Sequence, residues 1–415
     1  MGIMMGRFVG REMLLMGLLV FLAAQPAASS QSTGSSRATA YSLLKKAATQ
    51  ISAGRLSQAE ATLENLLQAD SSDFQAINLL GVIRAKQGRN KEAEKLFDEA
   101  VRGNPRITGA HVNLGLLYLE TNRPQQAASQ LKEALQLEPH RPDIMADLAR
   151  ALQLEAAGYA KAGDFKTALP LLLQARSLEP ENVSLLFEIG MAQTRLSLYE
   201  DAAKSFSAAL KLRPADAAVV LALARAEMAA KRYDLAEQSL QAYLRLRPDD
   251  AAAHYDSGYA LRLLQRNQEA RQEFKRALQL EPGQTESIYE LGILDLEEGQ
   301  MSRAAARFSQ VLARSPDHLG AQLSLAQVDY DRKQYASAKT LLERVVHQAP
   351  SNYKAHYYLG LCEARLGDKA SSERELALAV ALERRADESQ RVASGLQDAR
   401  PGRAGKNEDS PPHRR

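Results

Sequence analysis

The stretch AHVNLGLLYLETNRPQQAASQLKEALQLEPH, residues 110–140, lines up without a gap against AHYDSGYALRLLQRNQEARQEFKRALQLEPG, residues 253–283. Such a period takes precedence over any single motif, because it makes the chain a stack of like pieces rather than a set of independent domains. Extending the register both ways divides residues 40–386 into units of 34 residues starting at Ala40, Phe74, Thr108, Ala149, Val183, Ala217, Ala251, Thr285, Leu319 and Tyr353. A seven-residue insertion, 142–148, precedes the fourth unit.

The columns of this register explain the period. Position 8 is Gly or Ala throughout (Ala47, Gly81, Gly115, Ala156, Gly190, Ala224, Gly258, Gly292, Ala326, Gly360), and position 20 is Ala in every unit but the last, which has Ser372. Two small-residue columns twelve apart suit a helix pair whose axes approach closely, where a larger side chain would wedge them apart. Position 24 is always Leu or Phe and fills the space left. Pro at position 32 in eight units, from Pro105 to Pro350, stops the second helix, since proline lacks the N–H and restricts the residue before it. Position 15, Gly or polar (Gly54, Gly88, Asn122, Gly163, Gly299, Gly367), separates the first helix from the second. Composition agrees: Ala and Leu make almost a third of the chain, aromatics 6%, and there is no Trp, which argues for helices over sheets.

These columns resemble the tetratricopeptide repeat family, with its pattern W-x2-L-G-x2-Y, A-x3-F and P. The resemblance covers residues 40–386 and implies an all-α, right-handed superhelical solenoid of about ten helix-turn-helix units. The family's Trp at position 4 is absent throughout, and its Tyr at position 11 survives only as Tyr118 and Tyr159. The insertion amounts to two helical turns, so residues 142–162 are expected to form one long helix starting at Pro142.

At the N-terminus, Arg7 and Arg11 precede an apolar run from Met13 to Ala24 and a small-residue stretch, the order of an export signal over 1–30. The run is short of the roughly 20 residues that span a bilayer, which favours cleavage over an uncleaved inner-membrane anchor. The chain is therefore expected in the periplasm or outside the cell. Residues 31–39 read as a flexible leader and 387–415, rich in Pro, Gly and mixed charge, as a disordered tail.

Chemistry has little to stand on. Charges nearly cancel, 53 basic against 50 acidic residues, which gives no footprint for nucleic acid. His111, His254 and His356 share position 4 but sit in different units, so they suit packing rather than one metal site. Cys362 reads as a buried small hydrophobe, and no phosphate loop, nucleophile elbow or zinc-protease helix is present. No enzyme activity, cofactor or metal is expected. Asn182-Val-Ser is a lone glycosylation triplet.

What remains is recognition. Positions 2, 5, 6, 9, 12 and 13 of each first helix lie opposite the packed face, and the resemblance implies that they line a concave groove holding a peptide or helix. The carboxylate-gripping clamp of the family is absent, since the first units offer Leu44, Ala48, Leu79, Gly109 and Asn113; an Asn ladder at position 6 is represented by Asn113 alone. Units 7–10 contribute Tyr255, Asp256, Tyr259, Glu286, Tyr289 and Glu290, then Glu297, Gln327, Tyr330, Asp331, Lys354, Tyr357 and Tyr358. Tyr combines rigid contact area with a hydroxyl, as binding surfaces do. Five acids against one base in this set point to a protein or peptide partner with basic and apolar groups. The overall expectation is an exported scaffold or adaptor; the alternative is an accessory subunit of polysaccharide export or glycan modification. The last unit lacks its terminal Pro, and self-association through that end is a further expectation.

Overall fold

The computed structural model describes residues 34–398. They form twenty helices and, among the described residues, no strand. The first five pairs are α1 (Gly34–Ser52) and α2 (Leu56–Ala69), α3 (Phe74–Lys86) and α4 (Asn90–Gly103), α5 (Thr108–Glu120) and α6 (Pro124–Leu137), α7 (Pro142–Lys161) and α8 (Phe165–Leu178), α9 (Val183–Arg195) and α10 (Tyr199–Leu212). The next five are α11 (Ala217–Ala229) and α12 (Tyr233–Leu246), α13 (Ala251–Leu263) and α14 (Asn267–Leu280), α15 (Thr285–Glu297) and α16 (Met301–Arg314), α17 (Leu319–Asp331) and α18 (Tyr335–Gln348), α19 (Tyr353–Leu366) and α20 (Lys369–Asp398). The architecture is an all-α solenoid of helix pairs. Between Lys231 and Arg232, inside the sixth unit, the array divides into two bodies. Within each body, every second helix also packs on the first helix of the following unit.

Close approach within a unit follows from size matching between positions 8 and 24. A Cβ added at Gly81, Gly190, Gly258 or Gly292 would stand 2.5 to 2.7 Å from the Phe ring at position 24 of its own unit. Where position 8 is Ala (Ala47, Ala156, Ala326), position 24 is the smaller Leu (Leu63, Leu172, Leu342). The four Phe rings involved, Phe97, Phe206, Phe274 and Phe308, are among the largest fully buried side chains. The position 20 alanines are buried as well.

The turns repeat as faithfully. Position 15 is left-handed in all ten units, with φ between 57° and 91°. Five of these residues are Gly; the others are Asn122, Ser197, Lys231, Gln265 and Lys333. The residue before each stop proline has left the helix, at φ −130° to −144° and ψ 72° to 93°, clear of the α region that a following proline disfavours. Asp73, Asn182, Asp216, Asp250, His318 and Asn352 then accept a backbone N–H of the next helix. Asn182, the residue of the glycosylation triplet, is thus engaged as a cap.

The insertion extends α7 to a single helix of 20 residues starting at Pro142. Two boundaries read from the sequence need correction. Residues 34–39 of the expected leader belong to α1, and 387–398 of the expected tail belong to α20. In both cases a helix anchored by buried residues, Leu44, Ala47 and Ile51 at one end and Ala379 at the other, propagates past its packed part, because adding a turn is far easier than nucleating one. The proposed export signal, 1–30, and residues 399–415 lie outside the described residues.

A non-Gly residue in the left-handed region costs about 1–2 kcal/mol, while introducing Gly gives back about 0.4–1 kcal/mol in unfolded-chain freedom. Ser197→Gly, Gln265→Gly and Lys333→Gly are therefore each expected to stabilise the array by about 0.5–1 kcal/mol, read as a raised urea midpoint. Gly54→Ala should move it the other way.

Candidate functional site

Within each body the first helices of adjacent units stand side by side, and in three pairs a polar rung ties position 5 of one unit to position 6 of the next. Asn113 Nδ2 donates to Asn78 Oδ1 at 3.0 Å, and Gln153 Nε2 donates to Glu188 Oε1 at 2.7 Å. In the second body Tyr289 and Ser324 form the equivalent hydrogen bond. The stripe opposite the packed face is accordingly continuous along each body.

In units 7 and 8, Tyr255 stacks on Tyr259 with centroids 6.2 Å apart, and the Arg262 guanidinium sits 5.3 Å from the Tyr259 centroid. Arg262 Nε lies 2.7 Å from Glu290 Oε2, and its Nη1 3.8 Å from Glu297 Oε1. Glu290 is buried, only 5% exposed; burial raises its pKa against the pull of Arg262. Burial, then the charge of Glu290, also raises the Tyr255 pKa, which keeps that hydroxyl protonated.

Units 9 and 10 hold a second group. Tyr330 meets Tyr335 at 5.4 Å and Tyr358 at 6.0 Å, and Tyr358 meets Tyr357 at 5.5 Å, all edge to face. Arg365 donates to Tyr330, and Gln327 hydrogen-bonds Tyr358. Tyr357 is 47% exposed. Glu286, Glu297, Asp331 and Lys354 are also exposed, while Asp256, Tyr259 and Gln327 are half-buried.

This geometry corrects the sequence reading of the groove in two respects. Glu290 is not a free acid at the surface, and Arg262 and Arg365, from the same columns at positions 12 and 13, offset the acidic set. The aromatics at position 5 also have a packing role: Phe187, Tyr255 and Tyr289 tilt against Phe206, Phe274 and Phe308 at 5.7 to 5.9 Å. Tyr357 has Leu376 at that place and no ring beneath it.

Two further sets of polar residues stitch units together. Each position 4 His bridges the preceding stop proline and its own second helix. His111 Nε2 faces the Pro105 carbonyl at 3.0 Å and its Nδ1 faces Gln130 Oε1 at 2.8 Å; His254 and His356 repeat this with Pro248 and Glu273, and with Pro350 and Glu375. Gln322 donates to the Pro316 carbonyl from the same position.

Position 11, where the family Tyr is lost, carries in three units an ion paired to position 21 of the preceding unit: Arg84 with Glu60 at 2.5 Å, Asp295 with Arg271 at 2.7 Å, and Glu363 with Lys339 at 3.3 Å. Asp295 also takes Arg307 Nε at 2.6 Å. Where Tyr118 is kept, the Arg123 guanidinium covers its ring and grips Glu94 with two hydrogen bonds. Cys362 is buried, its thiol pushed up to about 11 by burial.

Helix pairs repeating every 34 residues, with one stripe of first-helix side chains turned outward, define a helical-repeat protein. Tetratricopeptide repeat models match residues 44–106, 112–157, 154–217, 221–285 and 295–356. The chain belongs to the tetratricopeptide repeat family. It is 31% identical over 132 residues to cellulose synthase 2 operon protein C of Komagataeibacter xylinus, covering 32% of this chain and 10% of that protein. It is 32% identical over 96 residues to protein O-mannosyl-transferase TMTC3 of Homo sapiens, covering 23% of this chain and again 10% of the relative. Among solved structures it resembles PilW, a type IV pilus biogenesis factor, at 22% identity and a TM-score of 0.43, over 48% of this chain and 92% of that one. No helix among the described residues is long and apolar enough to cross a membrane.

Burial opposes ionisation of Asp295, but hydrogen bonds from Arg307 and Arg271 outweigh it and hold the carboxyl below its usual value. Its contribution to stability is thus complete above the unfolded-state value and is lost as pH falls through the lower folded one. Asp295→Asn removes the carboxylate that Arg307 holds and leaves Arg271 with Glu298 alone, and is expected to cost about 1–3 kcal/mol near neutrality. The variant's stability should also fall less steeply than the parent's on acidification, as read from urea midpoints across the acid range.

Proposed function

We propose that this protein is a non-catalytic scaffold of the bacterial cell envelope, exported through residues 1–30, that holds a segment of a partner protein on the tyrosine stripe of units 7–10. The observation that carries this reading is the Tyr330–Tyr358–Tyr357 ladder, an edge-to-face set of rings ending in the exposed Tyr357 with no packing ring below it. Tyr side chains present large contact area at low entropic cost and anchor hot spots. Because Arg262 and Arg365 offset part of the acidic set, ring contact rather than net charge selects the partner. Apolar, proline and guanidinium groups fit such rings best.

Similarity to a cellulose synthase operon protein favours, as the second reading, an accessory role beside a polysaccharide-exporting machine. In both readings the array recruits and does not react.

The test is affinity capture from envelope extracts with the chain from residue 31 onward, compared with the same chain carrying Tyr330→Ala, Tyr357→Ala and Tyr358→Ala. A specific partner whose affinity for the triple variant falls by about tenfold or more supports the reading. Equal retention by both chains would overturn the assignment of the stripe.

A further inference from the structure

We infer that the first body carries a second recognition surface, an apolar stripe with a basic rim on α3, α5, α7 and α9, which takes an acidic amphipathic helix of a partner protein. Its centre is Leu79, Leu116, Leu154 and Met191, at positions 6 and 9 of successive first helices. Leu154 and Met191 are 41% and 37% exposed, on neighbouring helices joined by the Gln153–Glu188 rung. Large aliphatic side chains left this open on two adjacent helices offer an area that an apolar helix face would remove from water.

The rim is set by position 13, which holds Lys86, Lys161 and Arg195 in units 2, 4 and 5, interrupted by Glu120 in unit 3. Among the described residues none of the three bases has a carboxylate within ion-pair distance. Lys86 is the most telling: it is half-buried, and burial pushes its ammonium below the usual value with no acid to offset the loss of water. An arriving carboxylate would supply that missing partner.

Over all six groove columns, units 1–6 carry Lys45, Lys86, Arg150, Lys161, Arg195 and Arg225 against Glu120 and Glu188. Units 7–10 carry Arg262, Lys354 and Arg365 against five acids. The near-neutral total therefore hides two stripes of opposite character on one scaffold. On the first body's stripe, charge complementarity sets which segment is accepted. The apolar centre selects a helix with large apolar residues at three- and four-residue spacing, since a purely polyanionic ligand would leave Leu154 and Met191 uncovered.

The test uses the full chain and a fluorescein-labelled peptide of about 16 residues with Leu at every third or fourth position and Glu elsewhere, long enough to be helical. A Leu/Lys peptide of the same pattern and a single-stranded oligonucleotide serve as counter-probes. Fluorescence anisotropy is expected to show salt-sensitive binding of the acidic peptide. Affinity should drop about tenfold with Lys86→Glu, Lys161→Glu and Arg195→Glu combined, and comparably with Leu154→Asp, while Tyr357→Ala with Tyr358→Ala leaves it unchanged. Circular dichroism of each variant verifies that the solvent-facing substitutions leave the helices intact. Equal binding of the Leu/Lys peptide, preference for the oligonucleotide, or indifference to the charge reversals would each overturn the proposal. Because the tyrosine variants are read separately, its failure is distinguishable from failure of the stripe in units 7–10.

Discussion

The structure depends on one contact, the side chain at position 24 pressed against the backbone at position 8. When the ring is Phe, position 8 has no Cβ; when position 8 has a methyl, position 24 retreats to Leu. That match fixes how near the two helices of a unit lie, and with it the face each first helix turns outward. An interior packed at crystal-like density transmits a misfit of one methyl group, so the spacing of the groove side chains is inherited from these buried pairs. Stacking then multiplies one local solution along the chain, as expected where each unit contacts only its neighbours.

Much of this was legible in the sequence because a repeat reports each structural requirement several times. Eight of the ten first helices begin on the first residue of the sequence register, and the left-handed residue falls at position 15 in every unit. Residues such as Lys333 and Gln265 would not announce a left-handed turn alone; only their column does. What stayed hidden was pairing between columns. Asp295 looked like a lost Tyr, yet it closes an ion triad with Arg271 of the preceding unit and Arg307 of its own. Glu290 looked like a groove acid because periodicity assigns a direction to a side chain but cannot show that Arg262 from the neighbouring helix has already claimed it. The two terminal corrections share another cause: composition registers Ser, Gly and charge, whereas an anchored helix continues through them.

The stitches also explain how the array tolerates loss of the family Trp and most of its position 11 Tyr. In units 3, 7, 9 and 10, His or Gln at position 4 reaches the stop proline's carbonyl, so the residue that ends one unit is held by the first helix of the next. At position 11 of units 2, 8 and 10, charge pairs replace aromatic packing. Buried ion pairs contribute less to net stability than apolar packing of similar volume, but they penalise wrong register strongly, since a mismatched neighbour strands a charge. This is a reasonable exchange in a chain whose units are otherwise so alike. On the opposite face, tyrosines and acids accumulate in one body and aliphatic groups and bases in the other.

The measurement that bears most directly on this account is a double-mutant cycle in the seventh unit, followed by hydrogen exchange. Gly258→Ala alone should destabilise by about 1–3 kcal/mol and strip protection from α13 and α14, the helices that carry and support Tyr255 and Tyr259. Adding Phe274→Leu, the combination already used by units with Ala at position 8, should restore most of that protection. If Gly258→Ala is tolerated with Phe274 in place, or if the second change deepens the loss, then the contact between positions 8 and 24 does not govern the array.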